Sequence, residues 1–321
     1  MGLKLIPDDT HVDFLKFRRL WVGLSIAAIV GSLALFLIQG LNYGIDFKGG
    51  TLIMAETVEE TPVGEFRPVL NDLGLGDVGV TRVSDPGGTA RNAVMIRVGI
   101  TGDDPDAQAA IVEQVKGVLD ESFPGISYLQ VDSVGAKVSG ELVRAGILAV
   151  TAAIAAILFY IWLRFEWQFA VAAVIALVHD VALTIGIFSL LQIEFNLAII
   201  AAILTIAGYS LNDTVIVFDR VRENLRKYKK MPLTDLLNLT VNGTLSRTIM
   251  TSGTTLMALF ALYFLGGEVI RGFTFAMIWG IIVGTYSSIY IAAPILLRLG
   301  VKRDWSKPDA NAGTQFDGAQ V

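Results

Sequence analysis

Apolar residues follow two rhythms along this chain. Six long runs, approximately Leu20 to Gln39, Val143 to Leu163, Phe169 to Leu190, Leu197 to Phe218, Thr248 to Leu265 and Gly272 to Leu297, each approach the roughly 20 residues a helix needs to cross a bilayer. Between the first two, the apolar runs shorten and alternate. There the pattern predicts strand Thr51 to Glu56, helix Pro62 to Leu73, strands Val78 to Ser84 and Asn92 to Gly99, helix Pro105 to Phe123 and strand Ile126 to Val134. Asp103-Asp104-Pro105 is a helix-start signal, Ala109, Val112, Val115 and Leu119 form the apolar stripe that follows, and Pro124-Gly125 ends it. Asp85-Pro86-Gly87-Gly88 is a turn between the two middle strands. The order βαββαβ leads us to expect a split-βαβ, ferredoxin-like α+β domain.

The expected fold class is therefore a polytopic α-helical membrane protein, with six transmembrane helices and that domain inserted after the first. Its parts are an N-terminal segment 1–19, a first span 20–39, the ferredoxin-like domain 40–142, a five-helix region 143–300 and a tail 301–321. Rich in Asp, Asn, Gly and Gln, the tail is expected to be disordered. The first span is not expected to be a cleaved signal peptide, because its apolar core is too long and no small-residue cleavage site precedes Leu41.

Composition agrees with a bilayer. Apolar residues make up 53% and charged residues 17%, below the roughly 25% charge of soluble domains, and mean hydropathy is +0.60. Lys16, Arg18 and Arg19 precede the first span, Arg164 follows the second, and Arg220, Arg222, Arg226, Lys227, Lys229, Lys230 and Arg247 surround the loop between the fourth and fifth. Arg298, Lys302 and Arg303 follow the sixth. Six alternating crossings place all four clusters on one side, so the excess of positive charge predicts cytoplasmic termini and an extracytoplasmic domain. Trp21, Trp162 and Trp167 fall at the same boundary, as an interfacial aromatic belt requires. The outer domain carries 16 acidic residues against 7 basic ones, which argues against nucleic acid as a partner. With no cysteine in the chain, disulfides and thiolate metal sites are excluded.

Candidate chemistry begins at Asp213, an acid inside an apolar stretch. A charge near the centre of a spanning helix costs about 2.5 to 3.5 kcal/mol on insertion scales, so such a residue has a partner or a protonation cycle. Tyr209, Ser210, Asn212 and Thr214 crowd the same turns and suggest a polar path; an acid that only glues helices together is the other possibility. Asp213 is expected about one turn from the cytoplasmic end of its helix, with Arg247 at the start of the next, so that the two share a level. An arginine beside an acid favours the carboxylate and desolvation favours the neutral form, so a shifting balance would load and release a proton. Arg247 is equally readable as a snorkelling anchor. Thr251, Thr254 and Thr255 continue a hydroxyl stripe that could line a water wire or pack helices. His179 and Asp180 lie near the middle of the third span, Asp180 as a relay candidate and His179 more as a brace. Gly280 and Gly284 form a close-packing pair in the sixth span.

Ahead of the first strand stands Gly44-Ile45-Asp46-Phe47-Lys48-Gly49-Gly50-Thr51. Its glycines permit tight turns as the chain leaves the bilayer, and Asp46 can anchor the turn through backbone amides. Neither GxxxxGK[ST] nor GxGxxG is present, so the run is not a nucleotide site.

Together the GIDFKGGT run, the span-embedded GYSLNDTVIVFDRVREN, the His179-Asp180 pair and LSRTIMTSGTT leading into the fifth span resemble the SecF family of the bacterial Sec protein-export machinery, within the resistance-nodulation-division superfamily. The resemblance covers Leu20 to about Arg303. It implies an inner-membrane protein that acts with SecD, the Sec translocation channel and its accessory membrane proteins on translocating preproteins. It further implies use of the proton-motive force in the late, periplasmic stage of export. No cofactor beyond the proton gradient, and no enzyme activity, is implied. Asp213 matches the family's proton-carrying acid and Arg247 the basic residue that modulates it. Asp180 and Asn212 join them as proton-path candidates, with His179, Tyr209, Thr251 and Thr254 in support, and Gly44, Asp46, Gly49 and Gly50 form a structural motif. Two other classes remain: an intramembrane aspartyl protease using Asp180 and Asp213, and a proton-driven small-molecule or lipid exporter of the same superfamily.

Overall fold

A computed structural model describes residues 10–75, 78–83, 92–99 and 105–301. The expected turn at Asp85 to Gly88, the helix-start signal at Asp103-Asp104 and most of the C-terminal tail lie outside the described residues. Among the described residues, six helices are long and apolar enough to cross a membrane. In chain order the elements are α1 (Arg18–Gln39), β1 (Asn42–Tyr43), a helical turn α2 (Ile45–Lys48), β2 (Gly50–Glu56), α3 (Val63–Asn71), β3 (Val78–Arg82), β4 (Ala93–Val98), α4 (Pro105–Ser122) and β5 (Ser127–Val134). Then follow α5 (Ala136–Arg164), α6 (Trp167–Leu191), β6 (Glu194–Phe195), α7 (Leu197–Lys227), α8 (Leu233–Leu265), α9 (Glu268–Ser287), a π-helical turn Ser288–Ala292 and α10 (Ala293–Leu299).

In the inserted domain the four strands pair antiparallel in the order β3-β4-β2-β5. Alternation along the strands sends Ile53, Ala55, Val80, Val94, Ile96 and Val98 to one face. There they meet Phe66 and Leu70 of α3 and Val115 and Leu119 of α4 in one buried core. Phe66 stacks on Phe123 with ring centroids 4.2 Å apart, so each helix is fixed to the other as well as to the sheet.

The membrane region has an inner layer, α6, α7 and α9, and outer helices α1, α5 and α8 whose side chains mostly point away from the protein. Gly280 and Gly284 explain how α9 comes so close to α7. A Cβ at Gly280 would stand 2.4 Å from Ile206, and one at Gly284 2.9 Å from the Ser210 Cβ. The pair is a packing face, as small residues at membrane helix contacts generally are. Pro294 cannot donate the helical hydrogen bond one turn back, and the π-turn immediately before α10 is where the helix absorbs that loss.

Two helix limits differ from expectation. The helix carrying Asp213 continues to Lys227, and the next begins at Leu233, well before the apolar run starts at Thr248. Hydropathy registers where a bilayer ends, not where a helix ends. The extra turns are amphipathic and zip together as a hairpin: Val221, Leu236 and Leu237 share the core, and Asn224 Nδ2 donates to Thr240 Oγ1 at 2.8 Å. The N-terminal segment is docked along α8. Asn242 accepts from the Val12 amide (2.9 Å) and donates to its carbonyl (2.8 Å), and Leu15 is buried.

Candidate functional site

The site grows from two acids on adjacent inner helices with opposite surroundings. Asp180, on α6, is fully buried and fully engaged. His179 Nδ1 lies 2.8 Å from Asp180 Oδ1, while Ser210 Oγ of α7 (2.5 Å) and Ser287 Oγ of α9 (2.8 Å) both donate to Oδ2. One carboxylate thus ties three helices together, and the π-turn begins at the residue after Ser287. The His179 ring stacks on Tyr286, centroids 5.9 Å apart, and Tyr286 Oη meets Ser25 Oγ of α1 at 2.9 Å. His179 Nε2 is buried with no hydrogen-bond partner among the described residues.

Asp213, on α7, is buried too, but its Oδ2 has no partner among the described residues. Arg247 is the cation that acts on it electrostatically, although no ion pair within 4.0 Å joins them among the described residues. Arg247 does not begin its helix, as the apolar run suggested. Each residue stands fourteen positions from the helix end at the connecting loop (213 to 227; 233 to 247), so the two do share a level. Asp213 accordingly lies mid-helix rather than one turn from the end.

The other candidates divide by direction. Arg247, Asn212 and Thr254 face outward, Tyr209 and Thr251 are half-buried, and Tyr209 Oη reaches Thr255 Oγ1 at 3.5 Å. The α8 hydroxyls turn back into their own helix: Thr251 donates to the Arg247 and Thr248 carbonyls, Thr254 to Met250 and Thr255 to Thr251. No hydrogen bond links Asp180 to Asp213 among the described residues, and both Asp180 oxygens are engaged by His179, Ser210 and Ser287 instead.

Sequence reasoning placed Ser210 near Asp213 without a partner and missed Ser287, Tyr286 and Ser25. Ser287 had a signal: it continues the Gly280, Gly284 face at helical spacing.

The glycine run forms a joint between domain and helices. β1 pairs parallel with β6, and the Gly44 amide donates to the Phe195 carbonyl at 2.9 Å. A Cβ on Gly44 would come within 2.5 Å of Glu194 Oε1. Gly49 and Gly50 have φ of +71° and +119°, and a Cβ on Gly50 would be 2.4 Å from the Val98 carbonyl oxygen. Asp46 does anchor through an amide, but not one in its own turn. Its Oδ2 accepts the Leu197 N–H at 2.8 Å, satisfying an orphan donor in the first turn of α7. Arg97 of β4 forms an ion pair with Glu194, adding a second strut. Gly50→Ala is expected to destabilise the sheet domain by about 2–4 kcal/mol, since both backbone angle and space forbid the methyl. Amide exchange measured along β2 and β4 should accelerate; parent-like protection in both strands would count against this assignment.

Comparison with known proteins bears on the same regions. Residues 114–302 match the family model described as protein export membrane protein SecD/SecF, C-terminal, and residues 34–53 match the SecD/SecF GG motif. Among similar sequences are the protein translocase subunits SecF of Cereibacter sphaeroides, 52% identical with 98% of this chain and 97% of that one covered, and of Rhodobacter capsulatus, 48% identical with 99% and 98% covered. The crystal structure of SecDF, a translocon-associated membrane protein from Thermus thermophilus, superposes with a TM-score of 0.81 at 34% identity over 93% of this chain. A super-membrane-facing form of SecDF superposes at 0.65 with 35% identity over 91%. This chain spans 39% of the length of each SecDF chain.

Proposed function

Because this chain belongs to the SecF family of protein-translocase subunits, we propose that it couples inward proton flow to the late, outer-side stage of preprotein export, with Asp213 as the proton carrier. The observation that supports this reading is the contrast between the two buried acids. Asp180 has every oxygen occupied and acts as a fixed tie, whereas Asp213 keeps a buried carboxylate oxygen without a partner among the described residues. A group left so poorly compensated in a low-dielectric region changes protonation readily when its surroundings change.

The joint supplies a path from that proton to the outer domain. Asp213 lies sixteen residues from Leu197 (197 to 213), about 24 Å along α7, and Leu197 is held by Asp46. A shift of α7 on protonation would pull on Asp46 and, through Arg97 and Glu194, on the sheet. We place both termini and the α7–α8 hairpin in the cytoplasm and the sheet domain in the periplasm, following the distribution of Lys and Arg. Arg247 and Asn212, which face outward, belong to the surface where a SecD partner and its own helices would complete the proton path. That this chain spans only 39% of a SecDF chain supports such a partner.

Depleting this chain from membranes should therefore leave the early, ATP-driven step of export intact and remove the acceleration given by a proton gradient. Purification in mild detergent should recover a SecD-like protein in equal amount. A monomer that supports gradient-driven export alone would overturn the proposed assembly.

A further inference from the structure

A groove of about 690 Å³ opens at the helix ends farthest from the sheet domain, between the start of α1 and α10. Arg18, Arg19 and Arg298 stand at its rim, and none of the three has an ion pair among the described residues. Below them the wall is apolar: Val22 and Ile26 on α1, Pro294 and Ile295 on α10. The nearby acid, Asp13, lines the adjoining hollow with Arg18 and Arg19, but its carboxylate already accepts from Asn238 Nδ2 at 2.7 Å. The first turn of α1 adds to the positive field, because it contains no acidic residue and no side-chain cap.

We propose that this groove binds one anionic phospholipid, its phosphate among the three arginines and an acyl chain along the α1–α10 wall. Charge selects the headgroup, since a basic recess between helices at the interface suits phosphatidylglycerol or cardiolipin and offers a zwitterionic lipid less. The apolar wall selects a lipid over a free phosphate. Docked there, the lipid would brace α1 against the helix segment that continues from Ser287, the α9 partner of Asp180.

Native mass spectrometry of the delipidated full chain, with its partner retained where bound, tests the proposal. The probes are phosphatidylglycerol, phosphatidylcholine and inorganic phosphate at equal concentration. Phosphatidylglycerol should bind at least about tenfold more tightly than phosphatidylcholine. The combined variant Arg18→Gln, Arg19→Gln, Arg298→Gln should weaken it about a hundredfold, at roughly fivefold per arginine. Lysine at the same three positions should retain most binding. Gly23 lines the groove, and a Cβ added there would meet nothing within 4 Å, so the backbone admits a side chain and the bulk of Gly23→Trp should fill the groove and displace the lipid without altering charge. That variant carries the test alone if the glutamine triple fails to fold. Parent-like phosphatidylglycerol binding by the folded glutamine triple or by Gly23→Trp, or equal binding of phosphatidylcholine, overturns the proposal. Phosphate competing as well as the lipid would make the recess a simple anion site and overturn it too.

Discussion

Asp180→Ala is expected to destabilise the membrane core by about 2–4 kcal/mol, seen as a lower unfolding midpoint in detergent. Truncation leaves His179 Nδ1 and the hydroxyls of Ser210 and Ser287 without their shared partner, at the place where α6, α7 and α9 meet. Each buried group so orphaned costs about 1–3 kcal/mol. The serines recover part of this by turning to carbonyls of their own helices, as Ser287 can with Gly284, which keeps the total below the simple sum. Asp180→Asn retains one acceptor oxygen and should cost about half as much. An unchanged midpoint for the alanine variant would show that the three helices are held by packing alone.

Asp213→Asn should behave in the opposite way. It removes no observed hydrogen bond from Oδ2, so folding and assembly should be preserved or slightly improved, while the gradient-dependent part of export is lost entirely. An amide cannot carry the proton that would collect about 2.3 kcal/mol per 100 mV. Asp213→Glu keeps the proton but moves the carboxyl by one methylene, and partial activity is expected. Arg247 acts on Asp213 from an outward-facing position, with no ion pair between them among the described residues, so Arg247→Met should reduce the gradient response without abolishing it. Export rates at matched protein levels separate these cases. A gradient response in Arg247→Met equal to the parent's would reduce that residue to an interfacial anchor.

Much of this was legible in the sequence because the membrane imposes length and polarity directly. The six spans follow from unbroken apolar runs, and Asp213 is conspicuous because an acid there is costly. Helix ends were less legible. The stretches from Asp219 to Lys227 and from Leu233 to Arg247 are too polar for hydropathy to register, yet the Val221, Leu236 and Leu237 contacts hold them helical. That is why Arg247 turned up in the middle of α8 rather than at its start. Contacts between distant elements were not legible at all. Asp46 reaches an amide 151 residues away and Ser287 a carboxylate 107 residues away. Both depend on how helices pack, which side-chain periodicity restricts to a face but does not pair with a partner. The glycine run was visible as a place of tight turns at the bilayer edge, but its tightest requirement, the Val98 carbonyl against Gly50, exists only once β2 and β4 are paired.

The most direct test of Asp213 as proton carrier is the rate of late-stage preprotein export in membrane vesicles, measured with and without an imposed proton gradient, for the parent and Asp213→Asn at equal abundance and equal partner occupancy. The proton-carrier assignment predicts equal rates without the gradient and acceleration by the gradient in the parent alone. Equal acceleration in both would show that Asp213 carries no proton and serves only to hold helices together.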